Sequence, residues 1–201
     1  MRLIGITGGV GVGKSAVLSY IRKHYRCEIY LADEVAHLMK RKGERCYDRL
    51  VELLGEKILE PSGEIDKKKM AAVIFASEAL LEQVNAIVHP EVRLYLEDKI
   101  CKARENPQVE LLFIEAALLI EAEYDEIVDE MWYIYADEEV RRARLRESRG
   151  YCEEKIEQIM RAQLSEEEYR AACDFVVDNS GELTESYKQI NKRLEAFTWL
   201  E

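Results

Sequence analysis

The chain opens on a compact apolar run, Arg2-Leu3-Ile4-Gly5-Ile6-Thr7, which delivers it into a glycine-rich turn. Behind the turn, Ala16-Val17-Leu18-Ser19-Tyr20-Ile21 has the spacing of the first turns of a helix that ends near His24. Glu28-Ile29-Tyr30-Leu31 then reads as a second strand, with Ala32-Asp33 at its carboxyl end and a helix running to about Lys40. Strand signals fade between Gly43 and the Pro61-Ser62-Gly63 turn, and helical spacing takes over in residues 45–54, 67–75, 78–87 and 90–104. Pro90 fits the first turn of the last of these, where a missing N–H costs little. Strand character returns in residues 109–114 and in Glu130-Met131-Trp132-Tyr133-Ile134-Tyr135, whose apolar density suits strands covered on both faces. Trp132 and Tyr133 are assigned to sheet packing. Residues 138–148 and 152–163 predict helices, Phe175-Val176-Val177-Asp178 a last strand, and 183–200 a closing helix.

Strands alternating with helices predict a three-layer α/β fold around a mainly parallel five-stranded sheet. There is no internal repeat and no linker suggesting two independent domains. The expected organisation is one domain: a core from 1–40, 105–140 and 170–201, a helical substrate-binding region over 41–104, and a lid over 141–165.

The turn after the first strand changes the picture from fold to chemistry. Gly8-Gly9-Val10-Gly11-Val12-Gly13-Lys14-Ser15 is a complete phosphate-binding loop, in the strand-to-helix context that gives the motif its meaning. Backbone N–H groups from Gly9 to Ser15 and Ala16 can wrap a diphosphate, and the helix start adds unpaired donors and a positive dipole end. Lys14 is expected to reach the β- and γ-phosphates of ATP, and Ser15 to offer its hydroxyl to Mg²⁺. Asp33, at a strand end, reads as general base, as a Mg²⁺ ligand through water, or as a helix-capping carboxylate. Glu115 closes the run Leu111-Leu112-Phe113-Ile114 and is placed to hold a Mg²⁺ water or organise the phosphate site; Glu121 and Glu123 follow it closely. The segment Arg141-Arg142-Ala143-Arg144-Leu145-Arg146-Glu147-Ser148-Arg149 gathers guanidinium groups suited to phosphate oxygens. Arg141, Arg144 and Ser148 share a helical face, and Arg149 stands at the exit beside Gly150, a hinge for a lid that would exclude water.

Composition bounds what this loop serves. With 29 Lys+Arg against 40 Asp+Glu the formal net charge is −11. That argues against a dedicated DNA or RNA binder but leaves room for a local basic pocket. The five cysteines, Cys27, Cys46, Cys101, Cys152 and Cys173, form no CxxC pair, which fits reduced thiols in a cytoplasmic protein. His24 reads as a helix-end histidine and His89 as a cap or turn residue before Pro90. No signal-peptide pattern is visible, and the apolar stretch near 111–120 is interrupted by Glu115 and too short for a bilayer.

Taken in order, these markers resemble the dephospho-coenzyme A kinase family over nearly the whole chain. Ile4-Gly5-Ile6-Thr7 and the loop match its opening; Ala32-Asp33 matches the second half of its Asp-Ala-Asp signature; His89-Pro90 and Arg93 match its substrate side. Leu118-Leu119-Ile120-Glu121 looks like its Leu-Leu-Phe-Glu segment, and Gln163 and Asp178-Asn179-Ser180-Gly181 resemble its later markers. The resemblance implies a P-loop kinase fold and transfer of the ATP γ-phosphoryl group to the ribose 3′-hydroxyl of dephospho-CoA. It implies an arginine-bearing lid, Asp33 as base and Asn179 among the nucleotide-binding residues; the local cation cluster and the hinge at Gly150 point to Arg149 or Arg144 as the lid contact to phosphate. It further implies His89, Arg93, Leu118 and Glu121 on the substrate side. From charge and hydropathy no nucleic-acid or membrane partner is expected, and the chain is expected to be a monomer with no obligatory protein partner. Leu31 stands where the family has its first signature Asp, Ala117 replaces a proline, and Ser148 occupies a common arginine position with Arg149 next door. Another small-metabolite kinase shares the loop and arginine segment. A nucleotide switch is represented only by a late DxxG without a guanine-reading NKxD.

Overall fold

The structure, a computed structural model, describes residues 1–197. The chain divides into two compact units, one formed by Met1–Ile29 with Pro107–Glu201 and the other by Tyr30–Asn106.

The first unit holds the sheet. Its strands are β1 (Arg2–Thr7), β2 (Cys27–Leu31, which carries the chain into the second unit), β3 (Leu111–Glu115), β4 (Glu130–Tyr135) and β5 (Phe175–Asp178). Their order is β2-β3-β1-β4-β5, so the first strand is central. β1 pairs in parallel with β3, Ile4 opposite Phe113, and with β4, Ile6 opposite Trp132; β4 pairs in parallel with β5. From Leu3 to Thr7 every β1 residue is buried, as are five of the six in β4. That burial is why these strands read as continuous apolar runs rather than alternating ones. Trp132, fully buried, lies edge-on to Phe113 and Phe175 at 6.0 and 5.1 Å, so Trp132 and Tyr133 pack in the core as expected. The helices of this unit are α1 (Lys14–His24), α6 (Glu138–Arg149), α7 (Glu153–Arg161), α8 (Glu166–Ala172) and α9 (Leu183–Glu195). The expected extension of α9 over 198–200 lies outside the described residues.

The second unit is helical: α2 (Ala32–Met39), α3 (Tyr47–Leu54), α4 (Lys67–Ile74) and α5 (Glu78–Glu105). Its core gathers Met39, Leu50, Leu54, Ile58, Met70, Val84, Val88 and Leu96.

Two elements depart from the sequence pattern. Pro90 does not start a helix; it lies inside the single 28-residue α5. Val84, Val88, Val92, Leu96 and Ile100, all buried, form one stripe four residues apart that runs past the proline. Burying each contributes about 1.5–3 kcal/mol, whereas a mid-helix proline costs about 3 kcal/mol; packing wins. Pro90 is exposed, and so is Ala86, whose carbonyl loses its intrahelical donor, so water can satisfy that group. The second departure is α8, which the apolar pattern does not reveal. Its start is marked by a capping box: Ser165 accepts from the Glu168 N–H while the Glu168 carboxylate accepts from the Ser165 N–H.

All five cysteines are free thiols. Among the described residues no helix is long and apolar enough to cross a membrane.

Candidate active site

The loop between β1 and α1 is shaped by glycines and then locked by side chains from elsewhere in the same unit. Gly13 sits at φ +91°, in the left-handed region, as the residue preceding α1; a Cβ there would also collide with the Asn179 amide nitrogen. Asn179, 1% exposed, follows β5 and donates through Nδ2 to the Val12 carbonyl at 2.7 Å. Its Oδ1 accepts from the Ser186 hydroxyl at 2.9 Å. Arg144 on α6 adds a second tie, donating Nη1 to Val12 O at 3.3 Å and Nη2 to Asn179 O at 2.8 Å.

One helical turn earlier, Arg141 grips the other side of the loop. Its Nε donates to Val10 O at 3.1 Å and its Nη2 to Gln163 Oε1 at 2.7 Å. The same oxygen accepts from Val10 N–H at 3.2 Å. A Cβ on Gly9 would run into the Arg141 guanidinium and meet Gln163 Oε1 at 2.7 Å, so this residue must be glycine for the arginine to lie so close. Burial pulls the Arg141 pKa down from its usual value, yet an arginine stays protonated throughout the physiological range.

Lys14, first residue of α1, turns back over the loop: its Nζ donates to Gly8 O at 2.6 Å and lies 3.5 Å from Glu115 Oε1. Both side chains are only 14% exposed. Glu115 reaches this point because it ends β3, in register with Ile6 just before the loop. Ser15 is exposed in the first turn of α1, at the positive end of the dipole; of the loop amides expected to wrap a diphosphate, the Ala16 N–H instead donates to Gly13 O at 3.0 Å and the Val10 N–H to Gln163, because the glycine turn and the carboxamide satisfy them within the fold. Lys14, Arg141 and Arg144 thus gather three cationic groups around the loop, with Glu115 paired to Lys14. In a chain of net charge −11 this is a locally cationic cradle for a polyphosphate.

Among the described residues no cluster of three or more His, Cys, Asp or Glu could hold a metal ion. The donors beside the loop, the Ser15 hydroxyl and Glu115, suit a hard cation that arrives on phosphate oxygens and keeps much of its water.

Arg149 is exposed at the end of α6, its guanidinium 5.9 Å from the Tyr151 ring; of the two arginines proposed for phosphate contact, Arg144 is the one at the loop. Ser148 donates back to Arg144 O at 2.6 Å, and Gly150 closes the helix at φ +63°. Asn179 and Val10 brace the loop with the groups described above. Leu118, 54% exposed, and Glu121, also exposed, lie in the turns after β3. In the second unit Asp33 is exposed in the first turn of α2, a helix preceded by Leu31 at its cap position. Burial, then the charges of Lys40 and Lys67, lower the pKa of His37, and burial, then Lys67, lowers that of Lys40; the Asp33 carboxylate opposes both shifts. His89 is exposed on α5, and Arg93 pairs with Glu97 at 3.0 Å one turn away.

Arg141 and Gln163 are the residues that sequence reasoning undervalued. The spacing of Arg141 and Arg144 already set them on one face. Nothing local distinguishes Gln163, whose partners lie more than twenty residues away.

A family model described as dephospho-CoA kinase matches residues 2–185. A dephospho-CoA kinase of Aquifex aeolicus is 37% identical over 199 residues, covering 98% of each chain. The crystal structure of TT1252 from Thermus thermophilus superposes with a TM-score of 0.81 at 29% identity, covering 97% of this chain and 96% of that one. A dephospho-CoA kinase from Campylobacter jejuni shares the fold, with a TM-score of 0.73 at 19% identity and 98% of both chains covered. With its parallel five-stranded sheet, its phosphate loop and this match along almost the entire sequence, the chain belongs to the dephospho-CoA kinase family of P-loop kinases.

Proposed function

We propose that this kinase transfers the γ-phosphoryl group of ATP to the ribose 3′-hydroxyl of dephospho-CoA, giving CoA and ADP. The observation that supports the reading is the family match over residues 2–185, a span that contains the loop and Asp33, His89 and Arg93, the residues proposed for the acceptor side. In this reading Lys14 and the loop amides bind the ATP phosphates, and Arg144 balances the charge that develops on the transferred group. Transfer is direct and roughly in line. The 3′-oxygen forms a bond to the γ-phosphorus as the bond to the bridging β,γ-oxygen breaks, and Asp33 accepts the hydroxyl proton. Ser15 and Glu115 would hold Mg²⁺, directly or through water, and the ion would supply charge neutralisation between the phosphates. His89, Arg93, Leu118 and Glu121 are proposed for the acceptor side.

The test is a coupled assay of ADP formation with dephospho-CoA, adenosine, AMP and shikimate compared side by side, with mass analysis locating the new phosphate. Turnover of dephospho-CoA to the 3′-phosphate is expected. Turnover of another alcohol in its place would overturn the assignment.

A further inference from the structure

The hydrogen bonds around Val10 form a closed ring that reaches across the fold from α6 to the turn after α7. Val10 uses both of its backbone groups: its N–H goes to Gln163 Oε1 and its carbonyl receives Arg141 Nε. Arg141 Nη2 completes the ring on the same Gln163 oxygen. Both neighbours of the carboxamide at this point are donors, so the oxygen must face them, and both its lone pairs are used. Gln163 is itself held in place, its N–H donating to Met160 O at 3.2 Å. Removing this one oxygen would therefore strand two donors together: an amide of the phosphate loop and one arm of a half-buried arginine.

We propose that Gln163 is a positioning residue for phosphate binding, setting both the curvature of the loop at Gly9-Val10 and the direction of the Arg141 guanidinium through a single acceptor oxygen. The proposal rests on the reading of the loop as the ATP phosphate site. It deepens that reading by assigning work to a residue without direct contact to the reacting atoms. Gly9 is the counterpart of this device. Only a residue lacking Cβ leaves the space that Arg141 and Gln163 occupy, so the glycine and the glutamine act on the same geometry from opposite sides.

Acceptor chemistry and shape can be separated by two substitutions. Gln163→Met keeps the length and removes the acceptor, whereas Gln163→Glu keeps the acceptor and adds an ion pair to Arg141. In steady-state kinetics Q163M should raise KM for ATP by about tenfold or more, the factor a hydrogen bond to a charged group supplies, with kcat within about threefold. Q163E should keep kcat within about threefold and retain the Val10 bond, while its added negative charge in the cationic cradle still raises KM for ATP. Gly9→Ala should reproduce the Q163M defect, and combining the two should add little to it. Backbone hydrogen exchange provides a readout independent of catalysis: the Val10 amide should be protected in wild type and Q163E and should exchange faster in Q163M, with melting temperatures recorded alongside. An unchanged KM and unchanged Val10 protection in Q163M would overturn the inference while leaving the ATP reading intact. A Q163E variant whose Val10 amide exchanges as fast as in Q163M, or a Q163M loss confined to kcat, would also overturn it. Failure of the wild-type protein to bind ATP, with Val10 protection still dependent on Gln163, would overturn the ATP reading and with it the assigned role in phosphate binding.

Discussion

Asn179 offers the sharpest test of how the phosphate loop is held, because its carboxamide is almost fully buried and each end has a named partner. Replacing it by alanine removes the bond from Nδ2 to Val12 O and the bond from Ser186 to Oδ1. Neither partner is left wholly alone. Val12 O still accepts from Arg144 Nη1 at 3.3 Å, and the Ser186 hydroxyl also contacts Asp178 O at 2.9 Å. The loss is then about two net hydrogen bonds at about 1 kcal/mol each, plus a small cavity, for a total of about 2–3 kcal/mol. In a chain of this size that corresponds to a fall in Tm of about 5–10 °C. Asn179→Asp is the more telling variant, since it keeps the volume and the Ser186 acceptor. It turns a carboxylate oxygen toward the Val12 carbonyl, replacing a bond with a repulsion and burying a charge. N179D should therefore be at least as destabilised as N179A despite being nearly isosteric, and both should raise KM for ATP as the loop relaxes. Thermal melts paired with ATP titrations provide the assay. An N179D protein melting within about 2 °C of wild type with unchanged KM would refute the claim that this donor holds the loop.

Other substitutions probe the roles assigned above. Asp33→Asn should leave the fold and ATP binding intact while lowering kcat by about 10²–10⁴-fold, the usual contribution of a general base; an unchanged kcat removes Asp33 from that role. Arg144→Ala should lower kcat/KM by more than about tenfold, since it loses both loop ties and the proposed phosphate contact. Arg149→Ala, at an exposed helix end, should stay within about threefold, and the reverse ranking would transfer the role to Arg149. His37 should titrate below 6.5 by NMR, held down by burial and then by Lys40 and Lys67. Because the folded state disfavours the imidazolium, the unfolded chain binds the proton more tightly. The contribution of His37 to stability is full above pH 6.5 and declines as pH falls from there toward its folded-state pKa. Lys67→Ala should move that titration upward, and a downward move would contradict the charge arrangement.

The parts of the fold legible in the sequence are those whose cause is local or strictly periodic. The β1–loop–α1 unit, β4 and β5 are marked by continuous apolar runs and by a glycine motif that tolerates little substitution. The unbroken α5 was hidden because a proline's local preference was set against a stripe whose strength comes from packing. α8 carried a readable capping signal but only a short, acidic first turn and a single buried residue, Tyr169. At the candidate site, Lys14, Arg144 and Glu115 follow from motif, helical face and strand end. The Arg141–Gln163–Val10 ring does not follow, because it joins three segments that only the folded backbone brings together.

The sheet order has a bearing on how the protein comes to exist as a folded chain. β1 is synthesised ahead of the second unit, yet both of its neighbours, β3 and β4, are encoded beyond the whole of that unit. Ile4 cannot meet Phe113 until that intervening chain has emerged. Closing an unstructured loop of roughly 100 residues would cost about 4 kcal/mol in chain entropy. Prior folding of residues 30–106, a compact unit in its own right, shortens the effective loop and reduces that cost. The phosphate loop thus leaves the ribosome ahead of the strands that flank β1 and acquires its shape late. Its braces, Arg141, Arg144, Gln163 and Asn179, are all translated after residue 140, so catalytic competence cannot appear on a nascent chain before the last strand has been made.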